Sequence, residues 1–308
     1  MTLQQLEYIV ALEKYGQFVK AAEACGVTQP TLSSMIQKLE AELNLQIFDR
    51  NSHPIGLTAA GENVVRQAKV ILYHVNQLEE MVLSERQMEW GEVRLGVIPT
   101  VAPYILPGLF KAIHSRHPNL VLRVTEARTS VLTEKLERAE IDMALLSTPL
   151  KNNNLLEIPV YYEKFFAYFP TGNPFLEKEQ VQIHELPIDD LWVLQEGHCL
   201  RNQVLSFCGR QSKKASVYEA GSIETLVRIV DENGGFTVIP AMHVGLLSPE
   251  QKARTRSIVN PEPTREVSLV VRFDYVRERL LNILAASVRE IIPDEMVDPR
   301  LKKFAIKL

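Results

Sequence analysis

The sequence predicts an α/β protein in which a small helical N-terminal part precedes a larger part of alternating strands and helices. Three observations support this fold class. Apolar residues recur at helical spacing in three short runs within the first 45 residues. A heptad pattern follows them, and short apolar strands alternate with helices after Gly91. The chain has 308 residues, of which 46% are hydrophobic and 23% charged, enough for two or three domains with ordinary cores.

The N-terminal residues predict three helices separated by two glycines. A first amphipathic helix ends before Gly16, and its apolar face is Leu3, Leu6, Ile9 and Val10. A short second helix stops at Gly26 and contains Phe18, Val19, Ala21, Ala22 and Cys25. Thr28 can cap the third helix, with Pro30 in its first turn. This order is helix, tight turn, helix, as in a DNA-binding unit.

The third helix has one apolar and one polar face. The apolar face consists of Leu32, Met35, Ile36, Leu39 and Leu43. Hydroxyl and amide side chains on the polar face suit a major groove, where such groups read base edges and anchor to phosphates. The residues predicted to contact DNA are Thr28, Gln29, Pro30, Thr31, Ser33, Ser34, Gln37, Lys38 and Arg50.

A small hairpin and a long helix are predicted next. Residues 45–48 and 55–57 flank the turn-forming residues 51–54, which suggests the wing of a winged helix-turn-helix. Thr58 can cap the long helix, whose apolar residues alternate four and three positions apart: Val64, Ala68, Ile71, Val75, Leu78 and Val82. Such a seam packs against a second helix, so we expect a homodimer on a roughly palindromic site. Burial of one helix within its own domain is the alternative.

Net charge does not favour nucleic-acid binding. The formal net charge is −4, and residues 1–66 contain five Lys or Arg against seven Asp or Glu. Attraction to phosphate must therefore be local, from Lys38, Arg50 and helix N-termini.

The second part predicts two α/β lobes. Strands are expected at 93–98, 120–125, 141–146, 161–169, 191–194, 216–219, 236–239 and 267–273, and helices at 105–113, 132–136, 223–230 and from 277 onward. The alternation implies parallel pairing, with ligands beyond the carboxyl ends of the strands. Thr100, Thr129 and His198-Cys199 each follow a predicted strand, so three loops could share one pocket. A helix cap or a turn is the alternative for each threonine.

Cys199 and Cys208 are two of only three cysteines. Cys199 lies between His198 and Arg201, and positive charge or a helix N-terminus favours a thiolate. If one helix holds both cysteines, their Cα atoms lie ~13 to 14 Å apart, whereas a disulfide tolerates about 7 Å. The pair can bond only by remodelling the segment, which predicts a redox switch. The alternative is inert buried cysteine, and this is the reading we favour for Cys25.

Several classes of protein and site are not indicated. No apolar run reaches the ~20 residues of a membrane span, and the N-terminus lacks a signal-peptide profile, so we expect a cytoplasmic protein. The seven histidines show no zinc-ligand spacing and no phosphate-binding glycine pattern is present, so neither a metal nor a cofactor is expected.

A set of N-terminal motifs carries a family resemblance: Ala21-Ala22, 27–33, Leu39-Glu40, Leu43, 48–50 and 57–61. These motifs resemble the DNA-binding domain of LysR-type transcriptional regulators. The resemblance implies a winged helix-turn-helix at 1–60, a dimerisation helix and hinge at 61–90, and a two-lobed regulatory domain like periplasmic binding proteins at 91–308. Lobe I would comprise 91–162 and 268–308, and lobe II 163–267. Promoter DNA, RNA polymerase and homodimers or homotetramers are the implied partners.

Motifs in the second part narrow the resemblance: 98–100, Pro103, Thr129, 196–201 and Phe207-Cys208. They are similar to those of the peroxide-sensing subgroup of LysR-type regulators. That similarity implies that Cys199 attacks hydrogen peroxide, that Cys208 resolves the sulfenic acid as a disulfide, and that a cellular dithiol reverses the reaction. It also implies control of oxidative-stress genes and an effector site of Thr100, Thr129, His198, Arg201 and Arg265.

Stoichiometric signalling of this kind is not enzymatic turnover, so we do not expect an enzyme. Two other functions stay open. One is a LysR-type regulator that responds to a small metabolite in the interlobe pocket. The other is a thiol peroxidase, in which the helix-turn-helix would have no role.

Overall fold

The computed structural model of the protein describes residues 1–50, 52, 54–84, 91–208, 220–260 and 262–297. The chain divides into two compact units. One is Met1–Met88 with Arg138–Glu140, and the other is Glu89–Glu137 with Ile141–Leu308.

The N-terminal unit has the predicted order of elements. Its helices are α1 (Leu3–Tyr15), α2 (Phe18–Ala24), α3 (Gln29–Leu43) and α4 (Ala59–Ser84), and its strands are β1 (Phe48–Asp49) and β2 (Gly56–Leu57). Gly16 ends α1 in the left-handed conformation, at φ 63°. The Thr28 hydroxyl caps α3 by accepting the backbone N–H of Thr31. These caps confirm the predicted helix boundaries, because each removes an unpaired backbone group at a helix end.

The wing is held by one buried carboxylate. Phe48 pairs with Leu57 across an antiparallel hairpin, while Asn51 and His53 of the predicted turn lie outside the described residues. Glu40 Oε1 accepts the backbone N–H groups of Ile47 at 2.8 Å and Phe48 at 3.2 Å. α3 therefore fixes the entry to the wing.

Only part of the predicted seam on α4 is free to meet another helix. Ala68 belongs to the core of the N-terminal unit and Val64 packs against that core. Ile71, Leu78 and Val82 are 39%, 57% and 51% exposed. The first two turns of the seam thus serve the unit's own core, and the remainder presents apolar side chains at the surface.

The second unit contains nine strands of the described chain in one connected sheet. They are β3 (Gly91–Val97), β4 (Leu120–Glu126), β5 (Met143–Thr148), β6 (Leu155–Tyr168), β7 (Gln180–Gln182), β8 (Leu191–Trp192), β9 (Phe236–Pro240), β10 (Thr255–Val259) and β11 (Thr264–Arg272). The order is β4-β3-β5-β11-β6-β10-β7, with β9 paired to β6 and β8.

The pairing is mixed, so the expected parallel pairing holds for only part of the sheet. β3 pairs in parallel with β4 and β5, whereas β11 runs antiparallel to both β5 and β6. The physical reason is β11, which re-enters the sheet between β5 and β6 against their direction. β6 is 14 residues long, and it pairs with β11 along most of its length and with β9 and β10 at its end. It therefore crosses from one lobe to the other.

Helices cover this sheet and bury two separate apolar cores. They are α5 (Ala102–Arg116), α6 (Thr129–Glu137), α7 (Cys199–Cys208), α8 (Ile223–Asn233), α9 (Ala241–Val244), α10 (Pro249–Lys252) and α11 (Glu278–Arg289). One core lies around β3, β5, α5 and α11, and the other around β9, α7 and α8. The predicted strand at 216–219 lies outside the described residues. No helix in the described part of the chain is long and apolar enough to cross a membrane.

Gly61 provides a test of how closely α4 packs on the wing. A Cβ atom at Gly61 would lie 1.9 Å from the carbonyl oxygen of Ile47. We predict that Gly61→Ala lowers the unfolding free energy of the N-terminal unit by about 2 kcal/mol, because overpacking outweighs the gain in helix propensity. Calorimetry of the whole chain measures this, with exposed Glu62→Ala as the control. An unchanged or raised transition would contradict the close approach.

Candidate functional site

Three loops at the carboxyl ends of strands converge on one cleft in the second unit. Thr100 follows β3, Thr129 begins α6 after β4, and His198 directly precedes α7. The cleft measures about 380 Å³ and is lined by residues of all three loops, among them Pro99, Pro103, Ala127, Arg128 and His198. The structure thus brings together segments that the sequence only places after strands.

Cys199 is the first residue of α7 and a half-buried free thiol. A turn at Gly197, with φ 93°, brings the chain into this helix, and a Cβ atom there would meet the Arg128 side chain at 3.0 Å. The N-terminal end of a helix favours negative charge in general, because its dipole and free N–H groups point toward that end. Cys199 thus lies at the end of α7 that favours negative charge.

α7 lies between the two apolar cores of its unit. Leu200 and Val204 are buried in one core, while Cys199 packs against the other. The helix ends at Cys208, so both cysteines belong to one helix. Their Cα atoms are therefore ~13 to 14 Å apart by the helical rise. A bond between them requires α7 to unwind.

Arg265 supplies positive charge at the site from a distant strand. Its side chain is fully buried. Nε donates to Glu163 at 2.7 Å, Nη1 donates to the Thr100 hydroxyl at 3.0 Å, and Nη2 donates to the Tyr104 hydroxyl at 2.6 Å. Burial alone would lower the pKa of Arg265, but Glu163, Tyr104, Tyr161 and Cys199 raise it, and the net direction is upward. The guanidinium stays charged, and Cys199 lies close enough to interact with it electrostatically.

The two basic neighbours of Cys199 in the sequence have different surroundings. His198 is 4% exposed, and burial, followed by Arg128, lowers its pKa, so it is uncharged at neutral pH. The guanidinium of Arg201 donates to the carbonyl oxygen of Leu194 at 3.3 Å. The predicted site roles of Thr129, His198 and Arg201 stay predictions.

Sequence reasoning missed three residues at this site. Tyr104 and Glu163 bind Arg265, and Gln203 donates from α7 to Ser147 at 2.8 Å. The signal for Glu163 was a charged residue in the predicted strand at 161–169, and that for Gln203 was its position one helical turn after Cys199. Thr129 Oγ1, His198 Nε2 and Gln203 Oε1 are buried polar atoms without a hydrogen-bond partner among the described residues.

The residues predicted to contact DNA lie mostly on one exposed surface of the N-terminal unit. Exposed are Thr28, Gln29, Pro30, Thr31, Ser34, Gln37, Lys38 and Arg50, while Ser33 is half-buried. Arg50 donates to Glu40 at 2.8 Å, so part of its charge is neutralised within the unit. Their role in DNA contact stays a prediction. In the part of the chain that the structure describes, no group of three or more His, Cys, Asp or Glu could hold a metal ion.

His243 gives the second unit a predictable pH dependence. Burial, together with Arg265 and against Glu224, lowers its pKa to about 4. In the unfolded chain the pKa of His243 is about 6.5, so below that pH the unfolded chain binds more protons than the folded chain. The stability of the unit therefore falls as the pH drops from about 6.5 toward 4. We predict that His243 contributes about 2 kcal/mol to the loss of unfolding free energy between pH 7 and pH 5. The free energy of unfolding, measured at both pH values, tests this prediction.

The matched variants are His243→Gln, which removes this contribution, and His114→Gln at an exposed position, which leaves it. Equal pH dependence in the two variants would rule out a neutral buried His243.

Two family models match the chain. The model of the bacterial regulatory helix-turn-helix protein, lysR family, matches residues 3–62, and the model of the LysR substrate binding domain matches residues 86–292.

Characterised relatives are similar over nearly the whole chain. A hydrogen peroxide-inducible genes activator of Haemophilus influenzae is 34% identical over 273 residues, or 88% of this chain and 91% of the relative. The DNA-binding transcriptional dual regulator OxyR of Escherichia coli K12 is 34% identical over 277 residues, or 88% of this chain and 90% of the relative.

Solved structures of OxyR proteins are also similar to this chain. Full-length OxyR from Pseudomonas aeruginosa, in a substituted form, superposes with a TM-score of 0.80 at 32% identity, covering 94% of this chain and 98% of that one. A peroxide-bound OxyR mutant of Corynebacterium glutamicum superposes with a TM-score of 0.62 at 26% identity, covering 100% of this chain and 97% of that one. On these matches, and on its winged helix-turn-helix and α/β unit, the chain belongs to the LysR family of bacterial regulatory proteins.

Proposed function

We propose that this LysR-family protein is a DNA-binding transcriptional regulator that senses hydrogen peroxide through Cys199 and Cys208 and controls oxidative-stress genes. The observation that carries the proposal is α7, which begins at one cysteine and ends at the other. Cys199 also directly follows His198, which lines the cleft, and it interacts electrostatically with Arg265. Similarity to peroxide-responsive OxyR proteins supports the same conclusion.

The chemistry has two balanced steps. The Cys199 thiolate attacks one oxygen of hydrogen peroxide, so an S–O bond forms, the O–O bond breaks and hydroxide leaves, which solvent protonates. Sulfur is oxidised by two electrons to sulfenic acid as the peroxide is reduced. The Cys208 thiol then attacks that sulfur, forming the disulfide and releasing water. A cellular dithiol returns both cysteines to thiols by exchange.

The signal is a change of packing. A disulfide cannot form across ~13 Å of helix, so oxidation unwinds α7 and removes Leu200 and Val204 from the core in which they are buried. We propose that this biases a two-state arrangement of lobes 91–162 with 268–308 and 163–267. Dimers or tetramers formed through α4 then present the 1–60 domains differently to promoter DNA and RNA polymerase, in the cytoplasm.

One observation supports the alternative function, a regulator that responds to a small metabolite. The cleft of about 380 Å³ carries Arg128 and His198 on its walls, which suits a small polar metabolite as effector. A thiol peroxidase is disfavoured, because it gives the exposed face of α3 no role. Consumption of peroxide beyond one equivalent per chain, with added reductant, would support it.

Oxidation of the cysteines separates these functions. We predict that one equivalent of hydrogen peroxide yields a Cys199 to Cys208 disulfide in the whole chain, detected by mass spectrometry of peptides. Cys199→Ser should form no disulfide, and Cys208→Ser should accumulate sulfenic acid at Cys199. Cys25→Ser is the control and should behave as the parent protein. Under the metabolite hypothesis the parent protein forms no such disulfide.

DNA binding by α3 is tested with exposed positions. Operators are first selected from random duplexes with the parent protein. We predict that Gln29→Ala weakens binding to the selected site about 10- to 100-fold, because an amide reading a base is worth about 1–3 kcal/mol. Lys38→Ala should reduce the slope of log K against log salt by about 1. Fluorescence anisotropy measures both.

Lys14→Ala is the control, an exposed lysine at the end of α1. If Gln29→Ala and Lys38→Ala bind as Lys14→Ala does, α3 does not face the DNA.

A further inference from the structure

We propose that Glu163 and Tyr104 are positioning residues for the peroxide reaction, holding the Arg265 guanidinium and the Thr100 hydroxyl in place as hydrogen-bond donors. The inference rests on the proposed function and adds residues to its site. It follows from a hydrogen-bond network that no sequence motif indicated.

Glu163 and Arg265 are direct cross-strand neighbours in the β6 and β11 pairing. Both side chains have no solvent exposure. Removing two charges from water costs several kcal/mol for each ion, and apolar replacements of such pairs are often as stable. Stability alone therefore gives no reason for a charged pair at this depth, whereas a fixed cation beside a reactive sulfur does.

The donors of Arg265 are almost fully assigned. A guanidinium carries five N–H groups. Nε donates to Glu163, one Nη1 hydrogen goes to Thr100 Oγ1, and the two Nη2 hydrogens are shared among the Thr100 carbonyl at 3.0 Å, the Tyr104 hydroxyl and Glu163. The second Nη1 hydrogen has no hydrogen-bond partner among the described residues. In the proposed reaction, this hydrogen donates to the peroxide.

The same network makes Thr100 a donor. Its Oγ1 accepts from Arg265, so its own proton is free to point at another acceptor. A peroxide oxygen that becomes hydroxide gains negative charge, and preformed donors at that point lower the barrier. Arg265 Nη1 and the Thr100 hydroxyl form such a pair of donors.

Tyr104 fixes the other side of the guanidinium. Its hydroxyl oxygen accepts from Arg265 Nη2, while its single proton is shared between the Thr100 carbonyl at 2.8 Å and Glu163 Oε1 at 2.9 Å. Burial is the main cause that raises the pKa of Tyr104 well above its usual value, so the phenol keeps its proton. One neutral hydroxyl thus contacts three members of the network.

Glu163 needs both of its oxygens. Oε1 accepts from Arg265 and Tyr104, and Oε2 accepts the backbone N–H of Met242 at 3.1 Å. A glutamine offers only one carbonyl oxygen, so its amide group must face one of these donors. Glu163→Gln therefore rotates or displaces the guanidinium even though the side chain keeps its shape.

The test compares two variants with a matched control. Tyr104→Phe and Glu163→Gln are made in a chain that also carries Cys25→Ser and Cys208→Ser, so that oxidation stops at Cys199. The control is Tyr162→Phe, which removes the hydroxyl that binds Glu266 in the adjacent cross-strand pair. Rates of Cys199 oxidation by hydrogen peroxide and of alkylation by iodoacetamide are measured from pH 5 to 9.

We expect Tyr104→Phe to slow oxidation about tenfold and Glu163→Gln about 10²-fold, since small misplacement of a reacting group costs up to that much. In both variants the rate of alkylation should change less than threefold, because alkylation does not use the donors at the leaving oxygen. The control Tyr162→Phe should change neither the oxidation rate nor the alkylation rate. The ratio of the two rates is decisive, because a purely structural role moves both rates or neither.

A ratio within twofold of the parent in both variants would overturn the proposal. Circular dichroism shows whether Glu163→Gln folds. If it does not fold, the rate ratio of Tyr104→Phe alone tests the proposal, because this variant loses one hydroxyl and no charge. Should the parent chain itself react with peroxide no faster than free cysteine, the proposed function fails and this inference fails with it, which is distinct from a failure in the variants alone.

Discussion

Arg265 and Glu163 face each other across two neighbouring strands, and neither side chain reaches solvent. The strands that carry them, β6 and β11, are where the two lobes join, because β6 pairs with β11 on one side and continues to β9 and β10 on the other. From this pair, hydrogen bonds run to Thr100 at the end of β3 and to the backbone of Met242 in α9. A charge pair without water is stable only when nearly all its donors and acceptors are matched. That requirement fixes the loops around Cys199 relative to one another.

α7 has competing constraints. In the helical form its apolar side chains fill one core while Cys199 contacts the other, and Gln203 bonds to Ser147. Joining the two cysteines replaces these contacts with one covalent bond, so the oxidised and helical forms exclude each other. Interiors pack densely enough that such a segment has two discrete arrangements and no continuum between them. Under the proposed function, this exclusion is how a two-electron oxidation would change the shape of the unit.

The N-terminal unit achieves its proposed DNA contact without net positive charge. Its exposed α3 face is rich in hydroxyl and amide groups, and Arg50 is partly neutralised by Glu40. Non-specific attraction to phosphate should then be weak in one copy, and pairing of two copies gives two recognition helices together. The exposed Ile71, Leu78 and Val82 of α4 offer an apolar surface for that pairing.

Local sequence patterns determined the helices of the N-terminal unit, the cap at Thr28 and the glycine stop at residue 16. Each depends on residues within a few positions of one another, so spacing alone carries the information. Only the tertiary structure decided that β11 enters antiparallel, that Val64 and Ala68 of the α4 seam pack in their own unit's core, and that the buried cation near Cys199 is Arg265, while its sequence neighbour His198 is neutral. Those outcomes depend on which strands pair and which side chains lose water, and no local pattern encodes either.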